Sequence, residues 1–118
     1  MATSEYLERL RSILQEYRHG LTDSQRFDYK NSFGAVAGYI DGQIFIVCGK
    51  FGLALKLPSE ILTDLLREAE VQKLRYFPNG HVKKDYAVIP PRLQNDRDRF
   101  GSLLSQSIDF ALQSRRGS

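Results

Sequence analysis

The residue types that most often carry catalysis or metal binding are sparse in this sequence. Its two histidines, His19 and His81, are 62 residues apart, and its single cysteine, Cys48, stands in the apolar run IFIVCG. Protein zinc sites use closely spaced pairs of Cys and His, and the sequence contains no such pair. A serine nucleophile within a G-x-S-x-G turn is also absent. We therefore predict a protein that is not an enzyme and that uses no metal or cofactor.

A group of basic residues around a predicted hairpin is the best candidate for a binding site. Its members are Lys73, Arg75, His81, Lys83 and Lys84, interleaved with Tyr76, Phe77 and Tyr86. Basic side chains contact phosphates and aromatic rings stack on bases, so the group could bind DNA or a protein partner. The alternative, which we favour, is that the lysines protect an edge strand from aggregation and the aromatic residues belong to the core. Lys56, on the polar side of an apolar strand, is open to the same two interpretations.

The net charge of +3 is unevenly distributed along the chain. Residues 1–70 contain eight basic and ten acidic residues, whereas residues 71–118 contain nine basic and four acidic residues. Such asymmetry can mark a nucleic-acid-binding face. A small surplus is more often part of an ordinary solvated surface. The charge pattern alone therefore leaves DNA binding as one of two interpretations.

The composition is that of a soluble globular domain. Of the 118 residues, 42% are apolar and 26% are charged, so we expect one domain over residues 1–118, with Gln113–Ser118 as a frayed tail. No apolar run approaches the roughly 18–20 residues that a membrane-spanning helix needs. The polar N-terminus has no signal-peptide core, and a single cysteine fits a reducing compartment. These features predict a cytoplasmic protein without membrane contact.

The elements that must position any site are organised around a hairpin in the first half of the chain. Strands are predicted at Ala35–Ile40, Ile44–Cys48 and Leu53–Leu57. The alternating segment Phe27–Lys30 either extends the first strand or pairs loosely at an edge. Asp41-Gly42 joins the first two, and this dipeptide is typical of the type I′ turn. A second reversal at Gly49–Gly52 leads into the third strand, in which every second residue is leucine. We predict a three-stranded antiparallel meander with one apolar face.

Helices and a second hairpin complete the predicted fold. Apolar residues at helical spacing predict a first helix that ends at His19-Gly20, a second ending near Glu70 and a last one capped by Asn95 or Asp96. Strands at Leu74–Phe77 and Val82–Ile89 flank the turn Pro78-Asn79-Gly80. The predicted order is α-β-β-β-α-β-β-α. We expect a two-layer α+β domain with a five-stranded antiparallel sheet, packed on one side by the first helix.

Several short motifs together resemble the N-terminal domain of TfoX/Sxy-type competence regulators. The matching segments are Phe33-Gly34, Gly38-Tyr39-Ile40-Asp41-Gly42-Gln43-Ile44-Phe45, Leu53–Leu57 with Lys56 inside it, and Tyr86-Ala87-Val88-Ile89-Pro90. They correspond to that family's M-F-G start, aromatic-x-D-G hairpin, Y-L-K-[VL] strand and Y-x-x-P element. Ser32 and Ala54 depart from the pattern, where methionine and tyrosine are usual, and the last element has one extra residue. The segment Gln106–Phe110 is similar to the S-Y-x-L close of the MmcQ/YjbR-like family.

The resemblance implies a fold and a class of function. Both families imply an α-β(3)-α-β(2)-α domain like that of secretion chaperones, and neither implies an enzyme. It assigns structural roles to Phe33, Gly34, Asp41, Gly42, Phe45, Lys56, Tyr86 and Pro90. One hypothesis is a binding module connected with transcriptional regulation, which contacts a protein or DNA. The other is a chaperone-like or homodimeric interaction domain without nucleic-acid binding, in which Gly34 and Gly38 could admit a close neighbour.

Overall fold

The computed structural model describes residues 2–17, 27–32, 34–74 and 83–116, and side chains within these ranges except at 2–4, 32, 83–84 and 114–116. Ten elements follow one another in these ranges. They are α1 (Ala2–Glu16), β1 (Phe27–Ser32), β2 (Ala35–Ile40), β3 (Gln43–Gly49), β4 (Gly52–Lys56), α2 (Ser59–Leu65), β5 (Gln72–Leu74), β6 (Lys83–Ile89), α3 (Pro91–Gln94) and α4 (Arg97–Arg116). The predicted α+β class with an antiparallel sheet is confirmed.

The sheet has six strands in the spatial order β1-β2-β3-β4-β6-β5, and every neighbouring pair is antiparallel. The predicted five-stranded sheet and element order were therefore wrong. The additional strand is β1, which pairs with β2 from Phe27 opposite Ile40 to Ser32 opposite Ala35. Its pattern is weak in the sequence because it is an edge strand. Only Phe27 and Tyr29 pack against the core, while Asp28 and Lys30 are exposed.

Both reversals of the meander are confirmed. Asp41 and Gly42 have φ angles of 48° and 83°, as a type I′ turn requires at its two central residues. The reversal between β3 and β4 closes with Gly49 opposite Gly52, and Gly52 has a φ of 111°. Aspartate and glycine, which tolerate positive φ angles, thus occupy the positions where the backbone is left-handed.

A β-bulge interrupts the pairing of β2 with β3. Gly38 lies opposite Ile46 and Tyr39 lies opposite Ile44, so Phe45 is the extra residue. The bulge lets Phe45 and its neighbour Ile46 enter the same core cluster, and both are fully buried. A Cβ on Gly38 would lie 2.6 Å from Cγ2 of Ile46, which explains the glycine in mid-strand. A glycine in mid-strand predicts either a bulge or the close approach of another backbone or a helix, and the bulge is confirmed.

The second helix is shorter than predicted. α2 ends at Leu65, and the chain then turns until Glu70, which has a φ of 72°. The reversal returns Val71 to the core at 8% exposure, which a helix continuing to Glu70 would not do. β5 and β6 pair as the second predicted hairpin requires, but β5 begins at Gln72, before the predicted start at Leu74. The rest of that predicted strand and its turn Pro78-Asn79-Gly80 lie outside the described residues.

The described helices pack on one face of the sheet. α1 contacts β2 and β3, α4 contacts β2, β3 and β4, and α2 contacts β6. The main core between these layers contains the alternating leucines of the third meander strand together with Leu10, Leu14, Phe100 and Leu104. The predicted packing of the first helix on the apolar face of the meander is therefore confirmed. At the start of α4, the carboxylate of Asp96 accepts a hydrogen bond from the backbone N–H of Arg99, as predicted for the cap.

Candidate functional site

The predicted basic hairpin is described only in part. Lys73 is exposed on β5, opposite Ala87, and Lys83 and Lys84 are the first two residues of β6. Arg75 and His81 lie outside the described residues, as do Tyr76 and Phe77. The backbone thus brings Lys73 and the two lysines of β6 onto adjacent strands at one edge of the sheet. The binding role of the group remains a prediction.

The motif residues shared with the TfoX-like pattern occupy structural positions where they are described. Gly34 has a φ of 79° in the connection between β1 and β2, and Asp41 and Gly42 form the first turn. Phe45 is the buried residue of the bulge, and Lys56 lies opposite Tyr86 across β4 and β6. Pro90 is buried at the end of β6, where it precedes α3. Phe33 lies outside the described residues.

Ion pairs use much of the positive charge in the second half of the chain. Arg97 lies 3.2 Å from Glu16, Arg92 lies 3.5 Å from Glu70, and Arg99 makes two hydrogen bonds to Glu68. The guanidinium of Arg99 holds the pKa of the Glu68 carboxyl below its usual range by hydrogen bonding. These pairs join the acidic first half of the sequence to the basic second half. The positive charge of the second half is therefore partly neutralised by acidic residues of the first half at the protein surface.

The face of the sheet opposite the helices has its own apolar cluster. We refer to Ala35, Ala37 and Val47, together with the partly buried Tyr39, Ile44, Phe51 and Tyr86, as the second-face cluster. Its central residues are neighbours across adjacent strands. Ala37 on β2 is opposite Val47 on β3, and Val47 is opposite Ala54 on β4. No residue of a described helix belongs to this cluster. Small side chains thus form its floor, and larger partly exposed ones surround them.

Two lysines accompany the aromatic residues on this face. The ammonium group of Lys30 lies 4.9 Å from the centre of the Tyr39 ring, within the range of a cation–π interaction. Lys56 is half-buried opposite Tyr86. The arrangement combines apolar area with fixed positive charge. Lys30 could not be singled out from local patterns, because its contact with Tyr39 depends on the pairing of β1 with β2.

A cavity of about 590 Å³ opens at one end of the sheet, and we call it the Arg9 cleft. It lies between α1, the turn from β3 to β4, and the segment that joins β6 to α3. Its apolar wall includes Tyr6, Phe51, Leu53, Ile89 and Pro90, and its polar residues include Arg9, Glu70 and Gln94. Its size falls within the range of small-molecule sites, which are mostly apolar with a few placed polar groups.

Arg9 is held in the cleft by a residue far away in the sequence. Its guanidinium donates a hydrogen bond to the side-chain oxygen of Gln94, 85 residues along the chain. The amide nitrogen of Gln94 in turn donates to the backbone oxygen of Ile89 at 2.7 Å. The orientation of Gln94 is thereby fixed by the end of β6. The sequence analysis missed both residues, because no local pattern connects a helical arginine with a distant glutamine.

Cys48 also borders the cleft, and its environment favours the neutral thiol. The residue is 2% exposed, and this burial raises the pKa of its thiol, although the charge of Arg9 partly opposes the effect. A nucleophilic cysteine instead has a lowered pKa and an electropositive, accessible setting. Cys48 thus fits its predicted role as a small buried apolar residue.

The comparisons with known proteins return no match. No family model, curated protein or solved structure matches this chain. Within the described ranges there is no group of three or more His, Cys, Asp or Glu side chains placed to hold a metal ion. None of the helices in those ranges is both long enough and apolar enough to cross a membrane.

Proposed function

We propose that this protein is a small, non-enzymatic binding module that acts in the cytoplasm through contacts with another protein. The proposal keeps the role implied by the resemblance to TfoX-type regulators, in which such a domain serves transcriptional regulation. The alternative hypothesis, a chaperone-like or homodimeric interaction domain without nucleic-acid binding, requires the same kind of protein contact. The partner would be a folded protein or a second copy of the chain.

The second-face cluster supports the proposal best. Its partly buried aromatic residues lie on the face of the sheet where no described helix packs. Protein–protein interfaces are enriched in tyrosine, phenylalanine and other aromatic side chains and surround them with polar groups. Tyr39, with Lys30 above its ring, offers both an apolar surface and a charge.

A photo-crosslinking amino acid introduced at Tyr39 tests the protein contact. We expect a discrete crosslinked species in cells, because a partner on this face would lie within reach of position 39. The matched control carries the same amino acid at Ser102, which is exposed on α4. A product of twice the monomer mass would identify a homodimer. Equal products from both positions, or none from position 39, would contradict the proposal.

DNA contact through the basic hairpin is the second candidate, and it is supported by the positions of Lys73, Lys83 and Lys84 on adjacent strands. If it operates, Lys83→Glu/Lys84→Glu should abolish binding to a labelled duplex, measured by fluorescence anisotropy at several salt concentrations. The affinity of the unchanged protein should fall along a log–log line with salt, since phosphate contacts release counterions.

The matched control for the DNA experiment is Lys50→Glu/Arg67→Glu. It changes the net charge by the same amount, and both residues are exposed and lie outside the hairpin. Equal loss in the two double variants would indicate a general charge effect. No binding of the unchanged protein even at low salt would remove DNA from its partners.

A further inference from the structure

The Arg9 cleft has an apolar wall and one unbalanced cation. Of the six arginines whose side chains are described, five lie within 4.0 Å of a carboxylate oxygen. Arg9 is the exception among them, and its partner is the neutral side chain of Gln94. A guanidinium carries five N–H donors, and the Gln94 side chain is the one acceptor for Arg9 among the described residues.

The guanidinium is positioned before any ligand arrives. Gln94 accepts from Arg9 and donates to the backbone oxygen of Ile89, so the chain of hydrogen bonds fixes Arg9 relative to the apolar end of β6. A group that is already oriented loses less conformational entropy on binding. The planar fork of arginine matches the two oxygens of a carboxylate.

The acidic residue that borders the cleft is already paired. The carboxylate of Glu70 lies 3.5 Å from the guanidinium of Arg92, which also donates to the backbone oxygen of Ala69 at 2.7 Å. Its charge is therefore compensated by Arg92. A neighbouring cavity of about 300 Å³ shares Arg9, but its other arginine, Arg97, is paired with Glu16. That cavity also has apolar residues, namely Ile13, Tyr17 and Phe100, but it is about half the volume of the Arg9 cleft.

We propose that the Arg9 cleft binds a small apolar carboxylate. The carboxylate lies on the guanidinium of Arg9, and the hydrocarbon part lies along the wall formed by Tyr6, Val88 and Pro91, which are partly or fully exposed. This site shares Phe51 with the second-face cluster, but it does not include Tyr39 and does not depend on the protein-binding role proposed above.

Octanoate is a suitable probe, and octanamide is its uncharged counterpart of the same length. Octanoate should bind the purified protein in calorimetric titrations and shift the backbone amide resonances of Cys48, Gly49 and Leu53. Arg9→Gln should weaken octanoate about tenfold or more, the loss expected for a hydrogen bond to a charged group. The weaker binding of octanamide should be unchanged by this substitution.

Arg11→Gln is the matched control, because it removes the same charge from the same helix. Arg11 pairs with Glu8 at 3.7 Å and does not border the cleft. We expect this variant to bind octanoate as the unchanged protein does. Equal affinity for octanoate and octanamide, equal weakening by both substitutions, or no octanoate binding at millimolar concentration would each overturn the proposal.

Discussion

Ser107 joins two strands to the last helix from inside the core. The residue is fully buried on α4, and its hydroxyl oxygen lies 2.9 Å from the backbone oxygen of Phe45 and 2.6 Å from that of Lys56. The bulge leaves the carbonyl of Phe45 outside the regular ladder, and the hydroxyl proton can be shared between the two acceptors. One buried hydroxyl therefore connects α4 to backbone oxygens of two segments of the sheet.

Replacing Ser107 by alanine should destabilise the protein by about 1–3 kcal/mol, the cost of leaving a buried polar group without its partner. The free energy of unfolding from urea titrations measures this loss. Ser105→Ala, at an exposed position on the same helix, is the control for helix propensity. A loss for Ser107→Ala no larger than that for Ser105→Ala would contradict the assigned role.

At the scale of elements, Glu68 connects the turn that follows α2 to the last two helices. Its carboxylate receives two hydrogen bonds from Arg99, at 3.0 and 2.5 Å, and lies 3.8 Å from Arg92. Arg92 also donates to the backbone oxygen of Ala69. The turn that replaces the last part of the predicted helix is thus fixed by α3 and α4.

The pH dependence of stability should report this contact. Because the pKa of Glu68 is lowered in the folded protein, its contribution to stability is present above the ordinary glutamate value of about 4.3. The contribution is lost as the pH falls through the lowered pKa. At neutral pH, Glu68→Gln should reduce the free energy of unfolding by about 1 kcal/mol or less, because the partners are partly exposed.

Urea titrations of the two proteins at neutral and acidic pH provide the measurement, and the difference between them should shrink in acid. Asp64→Asn is the control, since Asp64 and Arg67 are 3.9 Å apart and almost fully solvated. A difference for Glu68→Gln that is constant with pH would contradict the proposed contribution.

Local sequence predicts the elements that are set by local chemistry. The turn at Asp41-Gly42 follows from backbone sterics, because these residues accept positive φ angles. The alternating leucines of the meander follow from the two-residue period of a strand, which places them all on the buried face. Both predictions were confirmed. The local sequence does not determine the place of β1 in the sheet, because Phe27 and Tyr29 are partly buried only by contact with the core on the helix side. The end of α2 depends on Arg92 and Arg99, which lie far along the chain.

At the scale of the whole molecule, opposite charges from the two halves of the chain meet. Three arginines beyond residue 90 pair with Glu16, Glu68 and Glu70. The Arg9 cleft has a similar origin, since it combines α1, the turn between β3 and β4, and the start of α3. Sequence analysis could not find this site, because its polar residues are neighbours only in the folded protein.

The single cysteine should report the integrity of the whole fold. Cys48 is buried and its thiol pKa is raised by burial, so little reactive thiolate is accessible in the native state. We expect reaction with a chromogenic thiol reagent to be slow in buffer and to accelerate with urea in parallel with loss of circular dichroism.

A variant with Cys48→Ala and Ser102→Cys provides the accessible control, because position 102 is exposed on α4. Its thiol should react rapidly with and without urea. Equally rapid reaction of Cys48 in native buffer would show that the end of β3 opens without global unfolding.

The hydrogen bond from Ser107 to Phe45 spans 62 residues, and this has a consequence for synthesis of the protein. Chains emerge from the ribosome at about 5–20 residues per second, N-terminal end first. The meander can form early because its strands are joined by short turns. Its apolar face, however, waits for α4, which is translated last among the described elements. The nascent chain therefore passes through a stage in which the leucines of β4 lack their final cover, and the cell's chaperones would meet the protein at that stage.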